Sequence, residues 1–433
     1  MRKRIFAALL LLALLVPFAC AAVPVDTQMR GVWVSSVYNL DYPSAGTPSS
    51  DTLRAEADAI LNKCAELGFN AIFLQVRPTA DALYRSEIFP WSRYLTGTQG
   101  TAPDNGFDPL SYWVEGAHAR GMELHAWINP YRITRGGQSD YETLSPDNPA
   151  SKHPEWVIKH GDNYYFDPAL QEVRDLVIDG AVEIVKNYDV DGIHLDDYFY
   201  PGTDFDDSAS FARYGTGYAD IADWRRNNVN LLVAELDEKL HAADPDIAFG
   251  ISPSGIWENK NANPRGSDTH GYSAYSQAYA DGLFWIQNGI VDYICPQIYW
   301  EIGFDAADFS TLLDWWESMT RGTDVKLYIG MAAYRSAETE KQDSVWYGAD
   351  ELKRQLALID STGKSDGSVQ FRYGSVAGSP ALSAAIRQHF ASAPSTPSAP
   401  SYTEPTVNTP ELPADAGSLF DLFSLFLYSI THA

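Results

Sequence analysis

Apolar positions along this chain fall into two alternating rhythms. Short apolar runs, in which every second position is aliphatic, occur at RGVWVSS (30–36), NAIFLQV (70–76), ELHAWIN (123–129) and GIHLDDY (192–198). They continue at AFGISPS (248–254), YICPQIYW (293–300), KLYIGMAA (326–333) and VQFRY (369–373). Such runs predict strands. Between them the period lengthens to three or four residues. In 51–67, Leu53, Ala57, Ile60, Leu61, Cys64 and Leu67 make one stripe, with Gly68 placed to end the helix. Val173, Leu176, Val177, Ile184 and Val185 mark a helix in 171–188, and Ile221, Val229, Leu232, Leu236 and Leu240 mark one in 218–241. Eight strands alternating with helices predict an α/β fold, a (β/α)8 TIM barrel. The long stretches after the second, third and fourth strands (77–106, 130–170 and 199–217) belong at its C-terminal face, where active sites are built.

Side chains alternate across a strand, so parity assigns faces. The aliphatic parity, with Val32, Val34, Ile72, Leu74, Leu124, Ala126, Ile193 and Leu195, is expected under the helices. The opposite parity then faces the barrel axis, and it is polar or aromatic: Trp33, Ser35, Gln75, Arg77, His125, Trp127, Asn129, His194, Asp196, Tyr198, Ser252, Ser254, Gln297, Tyr299, Glu301 and Tyr328. A barrel floor buries some polar pairs for packing alone, and either histidine fits that description. Charges such as Arg77, Asp196 and Glu301 are costly to bury without water, partners or a task. Asp197 has the outward parity but lies where the strand ends and the chain is free to turn. Asp189 and Asp191 shape the turn into that strand. DVDG lacks the following glutamate that a calcium loop of the EF-hand type requires, and no CxxC or HExxH pattern occurs. No cofactor and no metal site is read from the sequence.

Composition narrows the partners. The formal net charge is −26, and loss of the three basic residues of the leader would make it −29. A chain so acidic is not built to bind nucleic acid or anionic lipid through bulk charge. Aromatic residues make up 13%, which suits either a large core or a cleft whose rings stack on sugar faces. Met1–Arg4 is a basic segment, Ile5–Phe18 is apolar, and Ala19-Cys20-Ala21 fits a small-residue cleavage site. Residues 1–21 therefore read as a secretory signal, and the protein is expected to be secreted or in the cell envelope. Lipid anchoring at Cys20 is the less favoured reading, because Pro17 and Phe18 precede it. Cys64 and Cys295 are expected to be buried free thiols. The barrel is expected over 26–391, followed by a Pro/Ser/Thr-rich linker (392–415) and a short apolar segment (416–433). That last segment is too short to span a bilayer as a helix. Contact with the barrel, a membrane surface or a partner is one expectation for it, and no docking at all is the other.

NAIFLQVRPTADALYRSEIFPWSRYLTGTQG, HAWINPYR, DGIHLDDYFYP, GISPSGIW and PQIYW, spread over residues 26–390, resemble the bacterial glycosyl hydrolase-like barrel family, which includes envelope enzymes that cleave peptidoglycan strands stripped of stem peptides. The resemblance implies a (β/α)8 barrel with glycosidase activity, a polysaccharide substrate, and site positions at Arg77, Asn129, Tyr131, Arg132, Asp196, Asp197, Gln297 and Tyr299. A partial likeness to chitinase-type barrels breaks down at the fourth strand. There His194 replaces their first inner aspartate, and Tyr198 stands where their acidic glutamate would be. The expected catalytic groups are Asp196 and Asp197, with Glu301 as a second carboxylate across the mouth. Hydrogen bonds to sugar are expected from Arg77, Asn129, Arg132 and Gln297, and stacking from Trp33, Tyr131, Tyr299 and Trp300. Gln75, His125, His194 and Tyr198 complete the expected substrate-binding set. The rival functional reading is a non-catalytic glycan-binding barrel, and a third is a hydrolase of a different extracellular polysaccharide.

Overall fold

The computed structural model describes residues 28–392. Eight parallel strands close into a barrel: β1 (Met29–Val34), β2 (Ala71–Arg77), β3 (Glu123–Ile128), β4 (Gly192–Leu195), β5 (Ala248–Ile251), β6 in two pieces (Tyr293–Ile294 and Gln297–Ile298), β7 (Lys326–Met331) and β8 (Gly367–Gln370). Closure comes from β8 pairing with both β7 and β1, with Met29 opposite Gly367. Eight helices follow the strands in turn: α1 (Ser50–Leu67), α2 (Pro109–His118), α3 (Gln171–Asn187), α4 (Ile221–Ala243), α5 (Gly282–Asn288), α6 (Phe309–Thr320), α7 (Asp350–Thr362) and α8 (Pro380–Ser392). The expected barrel is therefore the observed one. The expected leader and the segments from 393 onward lie outside the described residues. No helix among the described residues is long and apolar enough to cross a membrane.

Local chemistry sets the ends of α1. The Ser49 side chain accepts from the Thr52 amide at the start, and Gly68 takes φ 84° at the end, a conformation that glycine adopts without a Cβ clash. Every residue of the expected α1 stripe is buried. Cys64 and Cys295 are buried free thiols, as expected.

Parity assigns the two layers correctly over most of the barrel. Val32, Val34, Ile72, Leu74, Leu124, Ala126, Ile193 and Leu195 join the apolar layer beneath the helices. Trp33, Phe73, Trp127, Tyr293, Cys295 and Val369 form a separate cluster inside the ring. Tyr293 fits there because β5 carries Gly250, where an added Cβ would sit 2.2 Å from the Tyr293 ring.

A hydrogen-bonded chain fixes the barrel floor. An indole N–H only donates, so the bond from Trp33 Nε1 to His194 Nε2 (3.2 Å) makes that nitrogen an acceptor. The imidazole proton is then on Nδ1, 3.0 Å from the Tyr293 hydroxyl. Tyr293 passes its own proton toward His125 Nδ1 (3.2 Å), and His125 Nε2 meets Glu123 (3.2 Å). Burial, and then the neighbouring His125, hold the His194 pKa well below its usual value. The ring is neutral and structural.

Candidate active site

The C-terminal mouth of the barrel opens onto a cavity of about 330 Å³, at the small end of the usual range for ligand pockets. Trp33, Gln75, Arg132, Asp196, Asp197, Tyr198, Gln297 and Tyr299 line it, so eight of the residues read from sequence converge there. Among the described residues, Asp196 and Asp197 are the only carboxylates that line it.

The two acids sit in unequal surroundings. Asp196 is buried and accepts from Trp127 Nε1 (3.2 Å), from the Tyr198 backbone N–H (3.1 Å) and from Asn129 Nδ2. Asp197 is partly exposed to the cavity and accepts one side-chain bond, from Gln297 Nε2 (3.0 Å). Gln297 Nε2 also donates to the Ser252 carbonyl (2.9 Å), so both of its protons are committed and its orientation is set.

A relay of amides orients Asp196 from below. The Ser36 and Val37 backbone N–H groups donate to one oxygen of Gln75, at 3.0 and 2.9 Å. That forces Gln75 Nε2 toward the Asn129 oxygen (2.7 Å), which turns the Asn129 amide nitrogen onto Asp196. Gln75 thus ties the loop after β1 to the orientation of the buried acid, and Asn129 acts through Asp196 without lining the cavity.

These contacts separate the two titrations. Burial raises the Asp196 pKa, while the Arg132 charge and the three donors pull it down. Asp197 is pushed up to about 7, first by burial and then by the Asp196 charge beside it, against the Gln297 bond, its own backbone N–H and the Arg132 charge. Paired carboxylates in unlike environments divide into an anion and an acid. Of the two, Asp196, with its three donors, is the better placed to carry negative charge, and Asp197 to keep a proton.

The remaining walls are aromatic and cationic. Tyr299 stacks near Phe371 (6.0 Å between centroids) and meets Tyr334 edge-on. Trp33 is buried at the base, edge-on to Phe371. Arg132 is anchored by its Nε bond to the Pro78 carbonyl (2.9 Å) and lies 5.1 Å over the Tyr198 ring. A two-stranded antiparallel hairpin, Val157–His160 with Asn163–Phe166, supports it through a bridge between Arg132 and Tyr165. The hairpin lies within 130–170, a stretch expected from the sequence to be a long loop.

Several expected site residues are placed elsewhere. Arg77 leaves the barrel interior because β2 bulges between Gln75 and Arg77, which reverses its parity. Its guanidinium is buried against α3, 4.5 Å over Phe89, where Gly180 leaves room: a Cβ there would stand 2.4 Å from the arginine. Tyr131 is fully buried in the outer apolar layer. Trp300 joins that layer too. Glu301 is turned onto Trp346 Nε1 (2.9 Å) and does not line the cavity, so the expected carboxylate across the mouth is not there. His125 and His194 belong to the floor. In their place, Tyr38, Asn39, Arg135, Phe371 and Arg372 line the cavity from turns and loops, and Tyr334 from a short helix, Ala333–Glu338. Only Phe371 and Arg372 carried a signal, as the polar-aromatic end of the last strand.

Three comparisons bear on this geometry. Residues 28–348 match the family model described as glycosyl hydrolase-like 10. The chain is 44% identical over 362 residues to "Glycosyl hydrolase YngK" of Bacillus subtilis, covering 82% of this chain and 70% of that protein. It is 38% identical over 385 residues to "Glycosyl hydrolase DigH" of Escherichia coli K12, covering 83% and 87%. Among solved structures, the PgaB (BpsB) glycoside hydrolase domain from Bordetella bronchiseptica superposes with a TM-score of 0.57 at 13% identity, covering 84% of this chain and 99% of that one. An α-L-fucosidase isoenzyme from Paenibacillus thiaminolyticus gives 0.52 at 14% identity, covering 84% and 49%. At such identities these two likenesses speak for the fold alone.

Proposed function

The chain belongs to the glycosyl hydrolase-like 10 family, and from that premise we propose that it is a glycoside hydrolase that cuts the glycan strands of peptidoglycan, outside the cytoplasm. The observation that carries the hydrolase reading is the unequal acid pair at the mouth of the barrel. Asp197, protonated up to about pH 7, gives its proton to the glycosidic oxygen as the bond to the anomeric carbon breaks. Asp196, held anionic by Trp127, Asn129, the Tyr198 amide and Arg132, stabilises the positive charge that develops on the sugar ring.

Among the described residues, none but Asp196 and Asp197 lines the cavity with a carboxylate that could activate water on the opposite face of the sugar. An N-acetyl group of the substrate therefore serves as the internal nucleophile, with Asp196 orienting its N–H, and water opens the resulting cyclic intermediate. This route needs a 2-acetamido sugar, which agrees with the wall glycan suggested by the sequence resemblance. Tyr299, Phe371 and Trp33 present apolar faces to the ring, and Arg132 and Gln297 present donors to its polar edge.

The test is product analysis by mass spectrometry after incubation with purified, peptide-free wall glycan, with fully acetylated chitin fragments and with polysaccharides that lack acetamido groups. Cleavage of wall glycan is expected. Cleavage only of glycans without acetamido groups overturns the assisted route and the substrate. Binding of glycan with no release of fragments would make the protein a glycan-binding module.

A further inference from the structure

The loop after β1 holds Tyr38 in a backbone conformation that its side chain disfavours. Tyr38 has φ 56° and ψ 16°, and Asn39 follows at φ 54°. Asparagine often takes the left-handed region, but a bulky aromatic residue there is an outlier that the surroundings must enforce. Bracing is present on both sides. Upstream, the Ser36 and Val37 amides are fixed on Gln75. Downstream, Asn39 Nδ2 donates to the carbonyls of Tyr94 (2.6 Å) and Pro43 (2.9 Å). The Tyr38 hydroxyl donates to the Arg135 carbonyl (3.2 Å), and the Arg135 guanidinium lies 5.5 Å from the ring centre. For all this bracing, the ring is not buried: Tyr38 is 39% exposed, among the most exposed large apolar residues described, and it lines the catalytic cavity. A strained position that presents an aromatic face to a cavity reads as pre-organisation for a ligand.

We propose that Tyr38, backed by Arg135, is a saccharide subsite at the rim of the cavity, on which the apolar face of a pyranose ring neighbouring the cleaved one stacks. This rests on the glycosidase reading for its ligand class, and its test is separable from that reading. The subsite fixes where along a strand the enzyme binds, and Gln75 couples it to Asp196, because the same glutamine anchors the loop and orients Asn129. Tyr38 is a binding residue and takes no part in bond breaking.

The experiment measures binding of short soluble oligosaccharides from peptide-free wall glycan to the full chain carrying Asp197→Asn, so that binding is read without turnover. Adding Tyr38→Gly removes the ring at a φ that glycine adopts freely, which preserves the loop. Loss of one stacking face is expected to weaken binding about ten-fold, while Tyr38→Trp restores it to within about three-fold. Unchanged binding in Tyr38→Gly overturns the proposal. So does equal weakening by Tyr38→Gly and Tyr38→Trp, or absence of binding by Asp197→Asn alone. A wild-type chain that binds through Tyr38 but never hydrolyses keeps the subsite and removes the hydrolase reading. Hydrolysis with Tyr38→Gly binding unaltered does the reverse.

Discussion

Replacing Asp197 by asparagine is expected to stabilise the folded chain while abolishing turnover. Moving a carboxyl pKa from 3.8 to about 7 corresponds to about 4 kcal/mol of ionisation cost at 1.36 kcal/mol per pKa unit. The cavity admits water and the perturbation is shared with Asp196, so we take about half of that, ~2 kcal/mol, as the expected gain. The sign follows from proton counting. Below about pH 4 the carboxyl is protonated both folded and unfolded and costs nothing. Between about 4 and 7 the unfolded chain has released this proton and the folded chain retains it, so wild-type stability falls as pH rises; above about 7 the full cost is present. Asparagine has no such cost and keeps an oxygen for Gln297. With an unfolding entropy of roughly 2 cal/mol/K per residue, ~2 kcal/mol amounts to an increase in Tm of about 2–3 °C for a barrel of this size. Thermal melts of both proteins at pH 4 and pH 8 read it directly. The gap is expected to be near zero at pH 4 and to favour the variant at pH 8. A gap that does not change with pH, or a variant that melts lower at pH 8, refutes the assignment of the proton to Asp197.

Other substitutions probe the rest of the site. The kcat/KM profile should fall on its alkaline side with a midpoint near pH 7, set by Asp197; a rate still rising at pH 8 contradicts this. Asn129→Ala leaves Asp196 and Gln75 each short of a buried partner, so kcat is expected to drop at least ten-fold, with a stability loss of about 1–3 kcal/mol by denaturant titration. Because Arg77 is buried over Phe89 rather than in the cavity, Arg77→Met should leave KM within about two-fold of wild type, and a ten-fold rise would return Arg77 to the substrate. Glu301→Gln should likewise leave kcat within about two-fold; loss of turnover would restore Glu301 as the second carboxylate. Gly250→Ala forces a Cβ to within 2.2 Å of the Tyr293 ring and is expected to lower stability by about 1–3 kcal/mol or more, read by urea unfolding.

The barrel was legible because a two-residue period on eight short runs is a property of each run alone. Parity carried Trp33, Gln75 and Asp196 to the mouth correctly. It failed where the strand was not regular: the bulge in β2 turned Arg77 outward, and beyond Ile298 the ladder has ended, so parity no longer placed Glu301, whereas Trp300 lies in the outer layer with Ile298, whose parity it shares. Parity also reports which way a side chain points and not how deep it lies. His125 and His194 do face the axis, but they lie in the floor below the cavity. Asp197 reached the cavity against its parity because β4 ends at Leu195. Tyr38 and Arg135 come from turns with no period to read, and Tyr334 from a helix of six residues, too short to show one. Their place depends on contacts such as Asn39 with Tyr94, made across 55 residues of chain.

If Asp197 protonates the glycosidic oxygen as its bond to the anomeric carbon breaks, water must then supply the new hydroxyl at that carbon. Incubating peptide-free wall glycan with the protein in water labelled with heavy oxygen, and reading the new reducing ends by mass spectrometry, tests it most directly. The account predicts labelled reducing ends from the wild type and none above background from Asp197→Asn. Unlabelled products, or equal label from both proteins, would contradict it.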